Sequence, residues 1–415
     1  MILKDYVSEP KFMEYRKVNK YPGTISQQEA QEDLNELIYL IDNRYCGKDY
    51  WSRKGIDFNK CYEQISNFIV SNEIIYISDF CRTIHAAFDV GIVDNHFSIA
   101  SPLTGRLVFS KQYVAYFSEL IVEKEQEKYV VIKSGEKDIS IGSYIEDTSC
   151  LYRTLSPEDK EWYLVGCRSY DVVNEMQIRV NGQLQTISLH RCKANHRIEE
   201  NDICFKHTKI WDIDILRSNC CDYVGEITEE TDFVALGKQF SQNKLLILNY
   251  LSNEGGYNRI TREFIQGLNN YVHCEEYCAK LISPVTEEKD CFREWSISKA
   301  IPYKRELGVF EGTAILLINS DTASSGESAI LYARSLKRLI LIGENSMGSN
   351  TFGNIASYSL SHSRIVLRIP NMINLCKNPD DCIEGQGFTP DYWVDSEDIQ
   401  GEVIAWIQNN PVLHK

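Results

Sequence analysis

One stretch limits the possible folds more than any other. Between Thr313 and Arg338 an uncharged run, Ala314-Ile315-Leu316-Leu317-Ile318-Asn319, leads through Ser320-Asp321-Thr322-Ala323-Ser324-Ser325-Gly326-Glu327 into an amphipathic segment. So long a run without a charge predicts a strand buried on both faces, as in parallel sheets. After it, Ala329, Ile330, Ala333 and Leu336 recur at helical spacing, with Glu327 in the first turn and Arg334, Lys337 and Arg338 near the last, as the helix dipole favours. A serine between such a strand and such a helix presents its hydroxyl beside amides that the helix leaves unpaired, which is the logic of a nucleophile elbow. The G-x-S-x-G pattern is absent, and a serine in such a turn ordinarily caps the helix. Both readings of Ser324 and Ser325 stand at this point.

The sequence on either side repeats the theme. Leu245 to Tyr250 predicts a buried strand, Glu254-Gly255-Gly256 a turn, Arg259 to Leu268 a helix, and Leu339 to Glu344 another strand. Alternation of this kind implies parallel pairing with right-handed crossovers, which brings the glycine and serine turns to one C-terminal sheet edge, where open α/β folds place ligands.

Nearer the N-terminus the pattern is helical. Ser26-Gln27-Gln28-Glu29 is a capping box ahead of Leu34, Leu37, Ile38 and Ile41, a second helix runs near Phe58 to Ser71, and a third begins at Ser78. His85 is expected at the surface or boundary of that third helix. Gly91 ends the helical region, and Val93-Asp94-Asn95-His96-Phe97-Ser98-Ile99 reads as a turn entering a strand with His96 and Ser98 on one face. From about Leu107 to Cys192 short strands alternate with polar turns, Asn181-Gly182 being a strong hairpin signal. Three parts are expected: a helical domain over 1–106, a small β-rich module over 107–200, and an α/β core over 201–415.

Composition narrows the partners. Lys+Arg 44 against Asp+Glu 59 gives a net charge of −15, with pI near 5.1, which disfavours nucleic acid and anionic membranes. The N-terminus lacks the long apolar core of a signal peptide and no window approaches a membrane-spanning length. The 14 cysteines are scattered, several within apolar runs such as Asn59-Lys60-Cys61-Tyr62, and read as buried thiols of a reducing compartment. A cytoplasmic chain is expected, although the mature form of an exported protein would look the same. His273-Cys274 with Cys278 and Cys291 is the tightest candidate metal cluster, but it lacks paired C-x-x-C spacing, so no metal is expected there.

Four motifs occur in an order and at a spacing that resemble the tail-specific, or C-terminal processing, protease family. They are Leu248-Asn249-Tyr250-Leu251-Ser252-Asn253-Glu254-Gly255-Gly256, Thr322-Ala323-Ser324-Ser325-Gly326-Glu327, Ile342-Gly343-Glu344-Asn345-Ser346-Met347-Gly348, and Glu384-Gly385-Gln386-Gly387-Phe388-Thr389-Pro390-Asp391. The likeness is clear over about residues 233 to 395, and Asp94-Asn95-His96 with the helices before it resembles the family's N-terminal part. It implies an α/β fold with a ClpP/crotonase-like core of strand-helix repeats and a PDZ-like middle module, the last on a poor match.

Carried over by motif, the resemblance makes Ser324 the nucleophile and gives the oxyanion hole to the backbone of Ser325 and of the Gly255-Gly256 turn. Familiar members activate the serine with a lysine immediately after the Gly-Glu-x-x-x-Gly stretch; here that position is Ser349, which cannot act as the base. The tricorn-like branch uses a histidine from the N-terminal part and a glutamate before the terminal motif, positions that His96 and Glu384 fill. A serine hydroxyl needs a base poised near neutral pH, an imidazole supplies one, and a carboxylate fixes its tautomer. The implied activity is serine-type peptidase hydrolysis of a polypeptide substrate through an acyl-enzyme, with no metal or organic cofactor. A non-catalytic ligand-binding module on the same fold, or an esterase, are the alternatives, and the oligomeric state is open. Ser346 and Ser349 either hydrogen-bond in the site or simply form a polar loop, and the loop is the expectation.

Overall fold

A computed structural model describes residues 22–195, 202–272, 276–282, 294–299, 303–304, 310–376 and 384–414. The cluster at His273, Cys274 and Cys291 lies outside them. The described chain groups into two compact units, one drawn from 1–111, 275–300 and 351–385, the other from 112–274, 301–350 and 386–415.

The first unit holds the predicted helices. Ser26 caps the Gln27–Arg44 helix with both bonds of the capping box in place, and Asp57 caps Phe58–Val70. Gly47–Arg53 adds a short helix the sequence pattern did not announce, and Ile77–Phe88 is the last of the group. Their apolar faces bury Leu37, Ile41, Ile65, Phe80, Ile84 and Phe88 against one side of an antiparallel sheet. That sheet orders Glu294–Lys299, Glu276–Ile282, Val366–Cys376, Asp94–Ser101 and Gly105–Phe109, with Phe352–Ser359 also paired to Val366–Cys376. His85 lies at the boundary as expected, its ring stacked on Phe109 and its Nε2 3.0 Å from the Val108 carbonyl.

The second unit is built on one mixed sheet. Ile213–Arg217, Leu245–Asn249, Thr313–Ile318, Leu339–Gly343 and Tyr392–Trp393 run parallel and adjacent in that order. Every residue of Thr313–Ile318 is buried, the outcome the uncharged run required, and each Leu or Ile so buried contributes about 1.5–3 kcal/mol. The Ser325–Ala333 helix stops short of the predicted Arg338. Ser335 Oγ donates to the Tyr332 carbonyl and Asn269 Nδ2 to that of Ser335, so the last turn is tied off before the next strand begins.

The β-rich stretch does not stand apart. Its Leu151–Thr154 strand pairs in parallel with Tyr392–Trp393, and Thr154 Oγ1 donates to the Trp393 carbonyl at 2.6 Å. Phe117, Tyr152 and Trp393 pack edge to face across that seam. The sheet of the second unit thus takes strands from the β-rich stretch as well as from the strand-helix part of the chain. Asn181 and Gly182, both at positive φ, close the predicted two-residue hairpin.

Candidate active site

The residues singled out by sequence fall into two groups. Ser324, Ser325, Gly255 and Gly256 belong to the second unit, His96 and Glu384 to the first.

Ser324 is the first residue after the buried strand's turn and precedes the helix. Its backbone sits at φ 52°, ψ −118°, a left-hand-side conformation that costs a non-glycine residue about 1–3 kcal/mol. The hydroxyl makes no capping bond to the helix, so the ordinary role of a serine at this position is not the one it plays. Several buried polar groups hold the turn against its strain. The Ala323 amide donates to the Asn253 carbonyl at 2.8 Å, and Thr322 Oγ1 to the Tyr250 carbonyl at 2.9 Å. The Asn319 amide in turn donates to Thr322 Oγ1.

The glycine turn meets the serine turn closely. A Cβ on Gly255, at φ +100°, would lie 2.8 Å from Ser324 Cβ; one on Gly256, at φ +135°, would lie 2.0 Å from the Cys221 carbonyl oxygen. Only glycine fits at either place. Asn253, wholly buried, ties this turn down: its Oδ1 accepts from the Gly255 amide at 3.0 Å, and its Nδ2 donates to the carbonyl and hydroxyl of Ser218. The Gly255 amide is therefore committed, whereas the amides of Gly256 and Ser325 meet no acceptor among the described residues. Ser325 Oγ donates to the Gly256 carbonyl at 2.6 Å, linking the two segments directly.

Glu327, taken from sequence as a helix-dipole acid, is fully buried. Its carboxylate accepts from Ser346 Oγ at 2.5 Å, the Gly348 amide at 2.8 Å, and the amide and hydroxyl of Ser349 at 2.6 and 3.1 Å. Burial holds its pKa above the ordinary carboxylate value, and these donors offset only part of that rise. Ser349 Oγ accepts from the Ser324 amide at 2.8 Å. Sequence reasoning favoured a loop role for Ser346 and Ser349; it placed Glu327 three residues after the candidate nucleophile but did not connect that acid to the two serines.

In the first unit His96 occupies a β-bulge. Asp94 pairs with Phe109 and Ser98 with Val108, so the residues between them have no counterpart on the neighbouring strand. Bulges re-aim side chains and recur beside active sites. Asp94, read from sequence as a turn former, fills the gap: Oδ1 accepts the amides of His96 and Phe97 at 2.9 and 3.0 Å, and Oδ2 accepts the Tyr45 hydroxyl at 2.9 Å. Burial pushes the Asp94 carboxyl up to about 7.

Burial, with Arg368 and Arg106 nearby, holds the His96 imidazole down to about 4, so it is neutral at physiological pH. Glu384 is brought to the same place. Its Oε1 accepts from the Asn95 amide at 3.0 Å and its Oε2 from the Thr351 amide at 3.1 Å. Ligating atoms of Asp94, His96 and Glu384 lie within 4.8 Å of one another, a donor set of a kind that could also hold a cation.

Residues 237–394 match the sequence model of peptidase family S41. That segment belongs to the family. The chain is a serine-type peptidase, and polypeptides are its substrates. No curated protein sequence matches it. Among solved structures it is similar to mature CPAF complexed with lactacystin, at 11% identity over 94% of this chain and 98% of that one, with a TM-score of 0.50. A putative peptidase from Parabacteroides merdae is similar at 12% identity over 92% and 96%, with a TM-score of 0.51. At such identities the likeness is one of fold. Among the described residues no helix is long and apolar enough to cross a membrane.

Proposed function

We propose that the peptidase cleaves peptide bonds through an acyl-enzyme, with Ser324 as nucleophile, His96 as general base and Glu384 as the acid that orients it. The observation that carries the reading is the conformation of Ser324: a strained strand-to-helix residue whose hydroxyl leaves the helix uncapped, beside two amides that meet no acceptor among the described residues. Such strain persists only where the surroundings enforce it, and it clusters at reactive positions.

His96 takes the hydroxyl proton as Oγ attacks the substrate carbonyl carbon. The neutral imidazole noted above is the form required. The Ser325 and Gly256 amides stabilise the oxyanion, each contributing roughly 10²–10³ in rate. Gly255, whose amide is committed to Asn253, contributes instead by its missing side chain. The imidazolium then protonates the leaving amine, and water, deprotonated by His96, releases the acyl group. Glu384, held by two backbone amides, stabilises the imidazolium and fixes its tautomer. The mechanism requires the His96 imidazole to reach the Ser324 hydroxyl during turnover.

A fluorophosphonate should label wild-type protein at Ser324, and Ser324→Ala should lose both label and peptidase activity, the latter by roughly 10⁶ in kcat if the triad acts as a unit. A folded wild-type protein that cleaves peptides while remaining unlabelled at Ser324 sinks the assignment. We also place the chain in a reducing, cytoplasmic setting, supported by buried free thiols such as Cys81, Cys192 and Cys221. Alkylation of protein denatured without reductant should then modify all 14 cysteines; any protected pair counts against it.

A further inference from the structure

The elbow conformation of Ser324 needs a source of constraint, and the hydrogen bonds around it identify one. The Ser324 amide cannot enter the helix ladder at φ 52°, ψ −118°; it donates to Ser349 Oγ at 2.8 Å. That hydroxyl is not a free rotor. Its proton goes to Glu327 Oε2 at 3.1 Å, and its own amide donates to the same oxygen at 2.6 Å. Glu327 is on the helix that Ser324 begins, with no exposed surface. Its other oxygen holds Ser346 Oγ and the Gly348 amide, and Ser346 Oγ accepts the Phe388 amide at 2.7 Å. Helix, nucleophile turn and the 346–349 loop are thus closed into one ring of bonds.

We infer that Ser349 is a positioning residue for the nucleophile: its hydroxyl, oriented by the Glu327 carboxylate, pins the Ser324 amide and keeps the turn in its strained conformation. This rests on Ser324 being the nucleophile. A serine suits the task because one hydroxyl both donates to the acid and accepts from the amide, which an ammonium, having no lone pair, cannot do. Without the pin, the Ser324 backbone relaxes and Oγ shifts from its attack position, where displacements near 1 Å cost about 10² in rate.

The test compares wild type, Ser349→Ala and Ser349→Thr for peptide hydrolysis and for the rate of fluorophosphonate labelling, with the labelled peptide identified by mass. Ser349→Ala should lower kcat and labelling rate by about 10²-fold with KM nearly unchanged. Ser349→Thr, which keeps the hydroxyl, should restore most of both. The pH at which kcat/KM half-rises should be the same in all three, because His96 is untouched. Should the alanine variant melt below the assay temperature, Ser349→Cys, with a similar shape and a weak acceptor, replaces it. Labelling of Ser349→Ala at the wild-type rate overturns the inference. A shifted pH profile overturns it too, since Ser349 would then be moving protons. A wild type unlabelled at Ser324 removes the nucleophile on which both readings rest, and is distinguishable from either of those results.

Discussion

Glu344→Gln should change how the fold responds to pH by an amount the structure fixes. Glu344 follows the Leu339–Gly343 strand with no exposed surface; one carboxylate oxygen takes the Ala115 amide at a long 3.5 Å, and the other meets no donor among the described residues. Burial outweighs the help from Ser320, Ala115 and Arg191 and pushes the carboxyl from its ordinary 4.5 up to about 7. Between those values the folded chain holds a proton that the unfolded chain releases. The contribution to stability is therefore complete below pH 4.5 and is lost as pH rises through 7. At about 1.4 kcal/mol per pH unit the interval is worth about 3 kcal/mol. Glutamine keeps the shape and stays neutral at every pH, so relative to wild type the variant should gain about 3 kcal/mol between pH 4.5 and 8, or about 6–12 °C in Tm for a unit of this size. Thermal melts of both proteins in matched buffers at half-unit pH steps measure it. The difference between the two curves isolates this one group from the other buried acids. A difference that stays flat from pH 4.5 to 8 refutes the reasoning.

Two further outcomes follow from the candidate site. Because burial, Arg368 and Arg106 hold His96 down to about 4, the acid limb of kcat/KM should fall near pH 4–5, and Arg368→Gln should move it upward; a limb at the ordinary imidazole value of about 6.5 contradicts the placement. Asn253→Ala strands the Gly255 amide and the Ser218 carbonyl in the interior, at about 1–3 kcal/mol each, and releases the turn that carries Gly256. Urea midpoints and kcat should therefore drop together. A variant with unchanged midpoint would mean that the turn is held by its other bonds alone.

What the sequence disclosed and what it withheld divide along one physical line. The strand-turn-helix around Ser324 was legible because each of its parts is local: an uncharged run, a cluster of small polar residues, a helical repeat. The capping box at Ser26 and the hairpin at Asn181-Gly182 were legible for the same reason. The continuity of the sheet through Thr154 and Trp393 was not, since nothing in either short segment encodes a partner so distant along the chain.

Buried acids form the sharper case. Asp94 looked like a turn former and Glu327 like a helix-dipole charge, both sound readings of position; yet each is fully buried and serves as an acceptor for backbone amides that irregular structure leaves orphaned. A bulge around His96 and a loop beside Ser324 both expose amides that the regular ladder cannot satisfy, and an uncompensated amide costs about 1–3 kcal/mol in the interior. A carboxylate accepts several such donors at once, which no neutral side chain does as well. Irregular backbone carries the proposed reactive groups, and buried acids make that backbone affordable. Sequence reasoning aimed at reactive side chains finds the candidates Ser324 and His96 and the acids beside them in the motifs, whereas the acceptor role of those acids comes into view only when each amide around the site is asked for its partner.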